Sequence, residues 1–216
     1  MMSDCNSGGE DFHQRGRQIS GVAVGIVTSH KDEKKLGRVQ VRFKWASGEK
    51  LSKWARIATL SSGPNRGSMF IPEVNDEVLL AFERDNVNRP FVIGSIWNDE
   101  GKPPGPDIEN NTIKKIKTIS GHEIIFSDEK GKEKIEIYSK SKHKIILDDD
   151  PEINKITIKD NKDDYIEINS KKGSITISSS KDLILKSNNV KIDAKSTMSL
   201  KSGGPMTIEG ATVSIN

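Results

Sequence analysis

Little in this chain is apolar. Only 33% of its 216 residues are hydrophobic and 30% are charged, whereas ordinary globular domains run to roughly 45–50% apolar with glycine counted. No run approaches the ~18 apolar residues of a membrane-crossing helix. Cysteine is nearly absent: Cys5 stands alone in the polar N-terminal stretch, which excludes an intrachain disulfide and a thiolate metal site. That stretch, Met1 to Gln18, holds no apolar core, so no secretory signal is expected in it. An excess of one charge is missing too. The 34 basic and 31 acidic residues leave a net +3, too balanced to point to nucleic acid. One large monomeric core is not expected from so polar a chain. The apolar residues it has are mostly Ile and Val in regular patterns.

Catalytic signatures are also lacking. There is no G-x-S-x-G elbow, P-loop or H-E-x-x-H. His13, His30, His122 and His143 have no partner at metal-ligand spacing. The acidic run Asp148 to Asp150 lacks the alternating ligands of a calcium loop and reads as a solvated turn. Glu73, Asp76 and Glu77 are the nearest approach to the paired carboxylates of glycoside hydrolysis, and they read better as shaping a turn that leads into a strand. The expectation is a protein that is not an enzyme, with no cofactor and no metal.

What is present falls into two materials. All eight Arg and all three Trp precede residue 111, whereas the rest of the chain holds 19 Lys, no Arg and 16 acids. Asn98 to Asn111 carries Pro-Pro-Gly-Pro and suits an extended connector. The expected organisation is a flexible segment 1–20, a barrel domain 21–98, a linker 99–118 and a repetitive domain 119–216.

Before the linker, β-rich runs start at Val22, Arg38, Trp54, Glu77 and Pro90. Val39, Val41 and Phe43 alternate onto one face. Leu60 to Pro72 has too many helix breakers to be a helix. Five short strands without an amphipathic helix predict a small closed barrel of the OB type. After the linker, apolar pairs recur: Ile135/Ile137, Ile145/Leu147, Ile156/Ile158, Ile166/Ile168, Ile175/Ile177, Leu183/Leu185, Val190/Ile192, Met198/Leu200, Met206/Ile208 and Val213/Ile215. Their spacing settles near eight residues from Ile175 onward, the mark of a β-helix or similar solenoid. Two or three inward side chains per repeat do not offset the conformational entropy of one chain. Three chains sharing one axis would. The alternative is a single-chain sandwich of short antiparallel strands, which expects aromatic core residues and irregular loops.

At this point several segments resemble a known family. Lys35 to Phe43 (KLGRVQVRF) is similar to its "LGRVKVRF" strand, and Ser52 to Ala58 to its "WARVA" strand. Gly67 to Val78 is similar to "GxxFxPEVGDEV", with Asn75 where glycine is usual. Arg89 to Asn98 and Ser120 to Asp128 are similar to "RPVVxGSLYN" and "SGHxLxFDD". The family is the central spikes of contractile injection machines: the phage baseplate assembly protein V group and the C-terminal part of VgrG proteins. The resemblance implies an all-β fold, an N-terminal OB-fold barrel followed by a C-terminal trimeric, intertwined β-helix. It also implies a mechanical role, piercing a target envelope when a sheath contracts, with transient contact with that envelope. The particle would be assembled in the bacterial cytoplasm.

The resemblance further implies partners: two more copies of the chain in a homotrimer, a separate hub protein, and a small PAAR-type cone protein at the C-terminal end. The residues expected to touch that cap are Val213, Ser214, Ile215 and Asn216. No His follows His143, so the His-x-His metal tip of some short phage spikes is not expected. The gap from Asn98 to Thr118 is too short for the lysozyme domain that other phage spikes carry. Two other classes stay open. A single-strand nucleic-acid binder would use Phe43, Trp45, Trp54 and Phe91 as stacking platforms. An adhesin or polysaccharide-binding fibre would have only Tyr138 and Tyr165 along its shaft.

Overall fold

The alternation of Val39, Val41 and Phe43 shows in the computed structural model as three buried side chains on one strand. The structure describes residues 19–45, 51–105 and 109–215. Cys5, His13 and all but the last two positions of the expected segment 1–20 lie outside them, as does Asn216. Among the described residues the protein is all-β, with no α-helix and a single 3-10 turn at Glu83–Asp85. The chain divides into two units, Met1–Asn111 and Thr112–Asn216.

In the first unit the main strands are β1 (Val22–Ser29), β2 (Gln40–Phe43), β3 (Arg56–Ile57), β6 (Glu77–Phe82) and β7 (Pro90–Ile96), ordered β2-β1-β6-β7-β3. All neighbours are antiparallel except β3 and β7. The sheet closes on itself. The Val39 N–H donates to the Ala55 carbonyl at 3.0 Å, and the Ala55 N–H returns to Val39 at 2.8 Å. That bridge joins the β2 edge to the β3 edge and removes both exposed edges. Inside lie Val27, Val39, Val41, Phe43, Ala55, Val78, Leu80, Phe82 and Val92.

The breaker-rich segment after β3 holds a small hairpin, β4 (Ser62–Gly63) with β5 (Arg66–Gly67). Gly67 sits at φ 135, where an added Cβ would lie 2.3 Å from the Ser61 carbonyl oxygen, so only glycine fits. Asn75 adopts φ 78, the left-handed region that accounts for glycine being usual in that motif.

The second unit is an antiparallel meander of seven strands, each five residues long: β8 (Ile113–Lys117), β9 (Glu123–Ser127), β10 (Lys134–Tyr138), β11 (Lys144–Asp148), β12 (Lys155–Lys159), β13 (Tyr165–Asn169) and β14 (Ser174–Ser178). β8, β10 and β12 begin 21 residues apart, at Ile113, Lys134 and Lys155. The repeating unit is therefore a hairpin. Its turns repeat as well. Side-chain oxygens of Thr118, Ser139 and Asp160 each accept the N–H four residues on, from His122, His143 and Asp164. The residue before each of those donors, Gly121, Lys142 and Asp163, has positive φ.

β8 falls inside the segment expected as linker. Its sequence, IKKIK, brings only Ile116 to the apolar face and so carries a weak alternation signal. Residues 179–215, with their apolar pairs, join no strand of the chain. Among the described residues, the expected β-helical shaft is within one chain a meander followed by a run without strands.

Candidate functional site, an uncovered apolar face

Because side chains alternate along a strand, each five-residue strand of the meander sends its second and fourth side chains to one face. The register aligns them across the sheet. One column is Ile116, Ile124, Ile137, Ile145, Ile158, Ile166 and Ile177. The other is Lys114, Phe126, Ile135, Leu147, Ile156, Ile168 and Ile175. Directly opposed β-branched and aromatic pairs of this kind are the unit of sheet stabilisation.

The burial of this sheet is inverted. Every apolar member of the two columns is exposed, from 37% at Ile135 and Leu147 to 71% at Ile175. The opposite, polar face holds the buried residues Ser127, Glu136 and Asn169. Long polar side chains cover one another there. Glu123 takes Lys117 at 2.8 Å and Lys115 at 3.2 Å, and these two lysines, Lys117 foremost, hold its carboxyl below the usual range. Lys155 meets Glu167 at 2.9 Å. The Tyr138 hydroxyl donates to Glu136 at 2.6 Å; burial and that carboxylate push the phenol upward.

The run 179–215 extends the exposed surface, since Leu183, Leu185, Val190, Ile192, Met198, Leu200, Met206, Ile208, Val213 and Ile215 are all exposed. The aligned apolar face of the meander, exposed over seven strands, marks an interaction site. Of the residues expected to touch a cap, Val213, Ser214 and Ile215 are exposed at the end of this run, and Asn216 lies outside the described residues.

The barrel puts its candidate residues to structural use. The Asp76 carboxylate accepts the Glu73 N–H at 2.9 Å, and Glu77 binds Lys44 at 2.7 Å and the Asn98 amide at 2.9 Å, which lower its pKa, Lys44 first. Phe43 is in the core, with Trp45 stacked on it at 4.5 Å. Trp54 lies near Arg38, and Arg56 covers Phe91 at 4.4 Å. These aromatics form no exposed row. Asp150 accepts the N–H of Glu152 within its turn. Among the described residues no group of three or more His, Cys, Asp or Glu is gathered as a metal site would require.

Ile116, Ile124 and Phe126 belong to the columns although the regular pairs of the sequence begin at Ile135. For Ile124 and Phe126 the i, i+2 spacing within Glu123–Ser127 was the available signal, and Ile116 had none of that kind.

Residues 23–97 match the family model of the type VI secretion system/phage-baseplate injector OB domain. The barrel is similar to that OB domain. The chain is 29% identical over 146 residues to the type VI secretion system spike protein VgrG3 of Vibrio cholerae, covering 62% of this chain and 14% of that one. It is 30% identical over 148 residues to spike protein VgrG1b of Pseudomonas aeruginosa, covering 61% and 20% respectively. The actin cross-linking toxin VgrG1 of Vibrio cholerae is 25% identical over 146 residues, 13% of its length. The chain thus spans a fifth or less of each of these curated relatives. The similarity is to spike proteins.

Proposed function

We propose that this protein is a central spike of a contractile injection machine, whether phage tail, tailocin, extracellular injector or type VI-like. Three copies bring their apolar faces together on one axis. The observation that carries this reading is the inverted sheet: thirteen aligned apolar side chains exposed on one face, above a polar face that is already closed. Completing their burial at about 1 kcal/mol per half-exposed side chain contributes on the order of 10 kcal/mol per chain, enough to drive assembly. The pairs from Leu183 to Ile215 continue the axis, and partner chains supply the backbone partners that one chain does not.

The role is mechanical. A dry Ile/Leu/Val axis with short turns resists unfolding by its kinetic barrier, as an element driven through an envelope must. The barrel couples the shaft to a hub protein, and the exposed end at Val213, Ser214, Ile215 and Asn216 receives a PAAR-type cap. The particle is assembled in the bacterial cytoplasm. Native mass measurement tests the reading. The expected species is a trimer at about three times 23.9 kDa that resists SDS without heating. A monomer at 23.9 kDa at micromolar concentration would refute it.

A further inference from the structure

The two sides of the meander carry different charges, turn by turn. On one side lie the turns 118–122, 139–143 and 160–164, and on the other 128–133, 149–154 and 170–173. On the first side the middle turn holds Lys140 and Lys142 without an acid, and the last holds Asp160, Asp163 and Asp164 against one lysine. On the second side the middle turn holds Asp149, Asp150 and Glu152 without a base, and the last holds Lys171 and Lys172 without an acid. Lys140, Lys142, Asp149, Glu152, Asp163, Lys171 and Lys172 are all exposed. Part of this charge is used within the chain, since Lys171 meets Glu152 and Lys159 meets Asp163.

We propose that each chain seats its first turn ridge against the second ridge of a neighbouring copy, one strand step toward the C-terminal end. This rests on the trimeric reading above. In that register Lys140 and Lys142 face the neighbour's Asp149 and Glu152, and Asp163 and Asp164 face the neighbour's Lys171 and Lys172. A step of one strand the other way sets Asp163 and Asp164 against the neighbour's acidic turn. The charge pattern therefore favours the first register, where both contacts are attractive, over the second, where Asp163 and Asp164 meet an acidic turn and Lys140 and Lys142 meet the mixed turn 128–133. The step is ~4.8 Å across a five-residue wall of roughly 17 Å, so the strands incline by about 16° to the plane across the axis.

The test separates contacts between chains from contacts within one. Two differently tagged full-length chains are made, Lys140→Glu/Lys142→Glu and Asp149→Lys/Glu152→Lys. Each alone sets like charges together at the middle-turn contact of all three junctions, whereas a mixed trimer has two attractive junctions and one repulsive one. After co-expression in equal amounts, native mass spectrometry counts the trimers. Random mixing gives about three quarters mixed trimers. The expected share is above roughly nine in ten, falling toward random mixing when assembly takes place in high salt. Recovery of trimer only on co-expression supports the register equally. Random mixing at low salt, with both variants trimeric alone, overturns it. A wild-type chain that is monomeric overturns the trimeric reading instead.

Discussion

The two units bury their apolar residues in opposite ways. The barrel turns its apolar face inward and closes the sheet through the Val39–Ala55 bridge, so one chain completes its own core. The meander stays open, with its apolar columns exposed and its polar face tied by ion pairs. The difference shows that a low hydrophobic fraction is not spread evenly as weak folding. One unit covers its own apolar face, and the other leaves its apolar face exposed.

The largest expected effect breaks the open face. Ile158→Asp places a charge opposite Ile145 and Ile166 on the exposed apolar face. Native mass should shift wholly from trimer to monomer while the barrel's thermal transition survives. Trimer persisting in that variant would show that the face is not the interface. Next is a break in the closed core. Leu80→Ala removes a fully buried side chain and should cost the barrel about 2–5 kcal/mol, seen as a lower urea midpoint, with the trimer mass unchanged.

A smaller contrast comes from acid. In the loop before β2, Asp32 accepts Arg38 at 2.6 Å and the N–H groups of Leu36 and Lys34, and this holds its carboxyl far below the usual range, Arg38 foremost. A lowered folded pKa means stability that is complete above the unfolded value, ~3.9, and is lost as pH falls below it. Barrel stability should fall progressively as pH drops below about 4 in the parent and less steeply in Asp32→Asn, read from urea midpoints at each pH. The smallest change refines the barrel's hairpin turn. Arg84 is exposed at φ 51, so Arg84→Gly should raise the barrel's stability by about 0.5–1 kcal/mol and leave the shaft transition where it was.

Much of this was legible in the chain. The five runs of the first half are the strands of the barrel, and Ile135 to Ile177 supplied five successive strands by alternation alone. β8 was hidden because Lys114 and Lys115 interrupt its pattern, and the hairpin period of 21 was masked by turns that alternate in length. The roles of Glu73 and Asp76 as turn-builders followed from their place before a strand. The stacked turns that set Lys140 and Lys142 on one ridge and Asp149 and Glu152 on the other had no local signal.

By itself the sequence determined the period, the face of each strand and the division into two materials, because alternation and turn chemistry act over a few neighbouring residues. Only the tertiary structure decided that the first sheet closes through the Val39–Ala55 pair, that the polar face is the covered one, and which charges share a ridge. Those outcomes depend on register between strands far apart in the chain, and register is fixed by pairing.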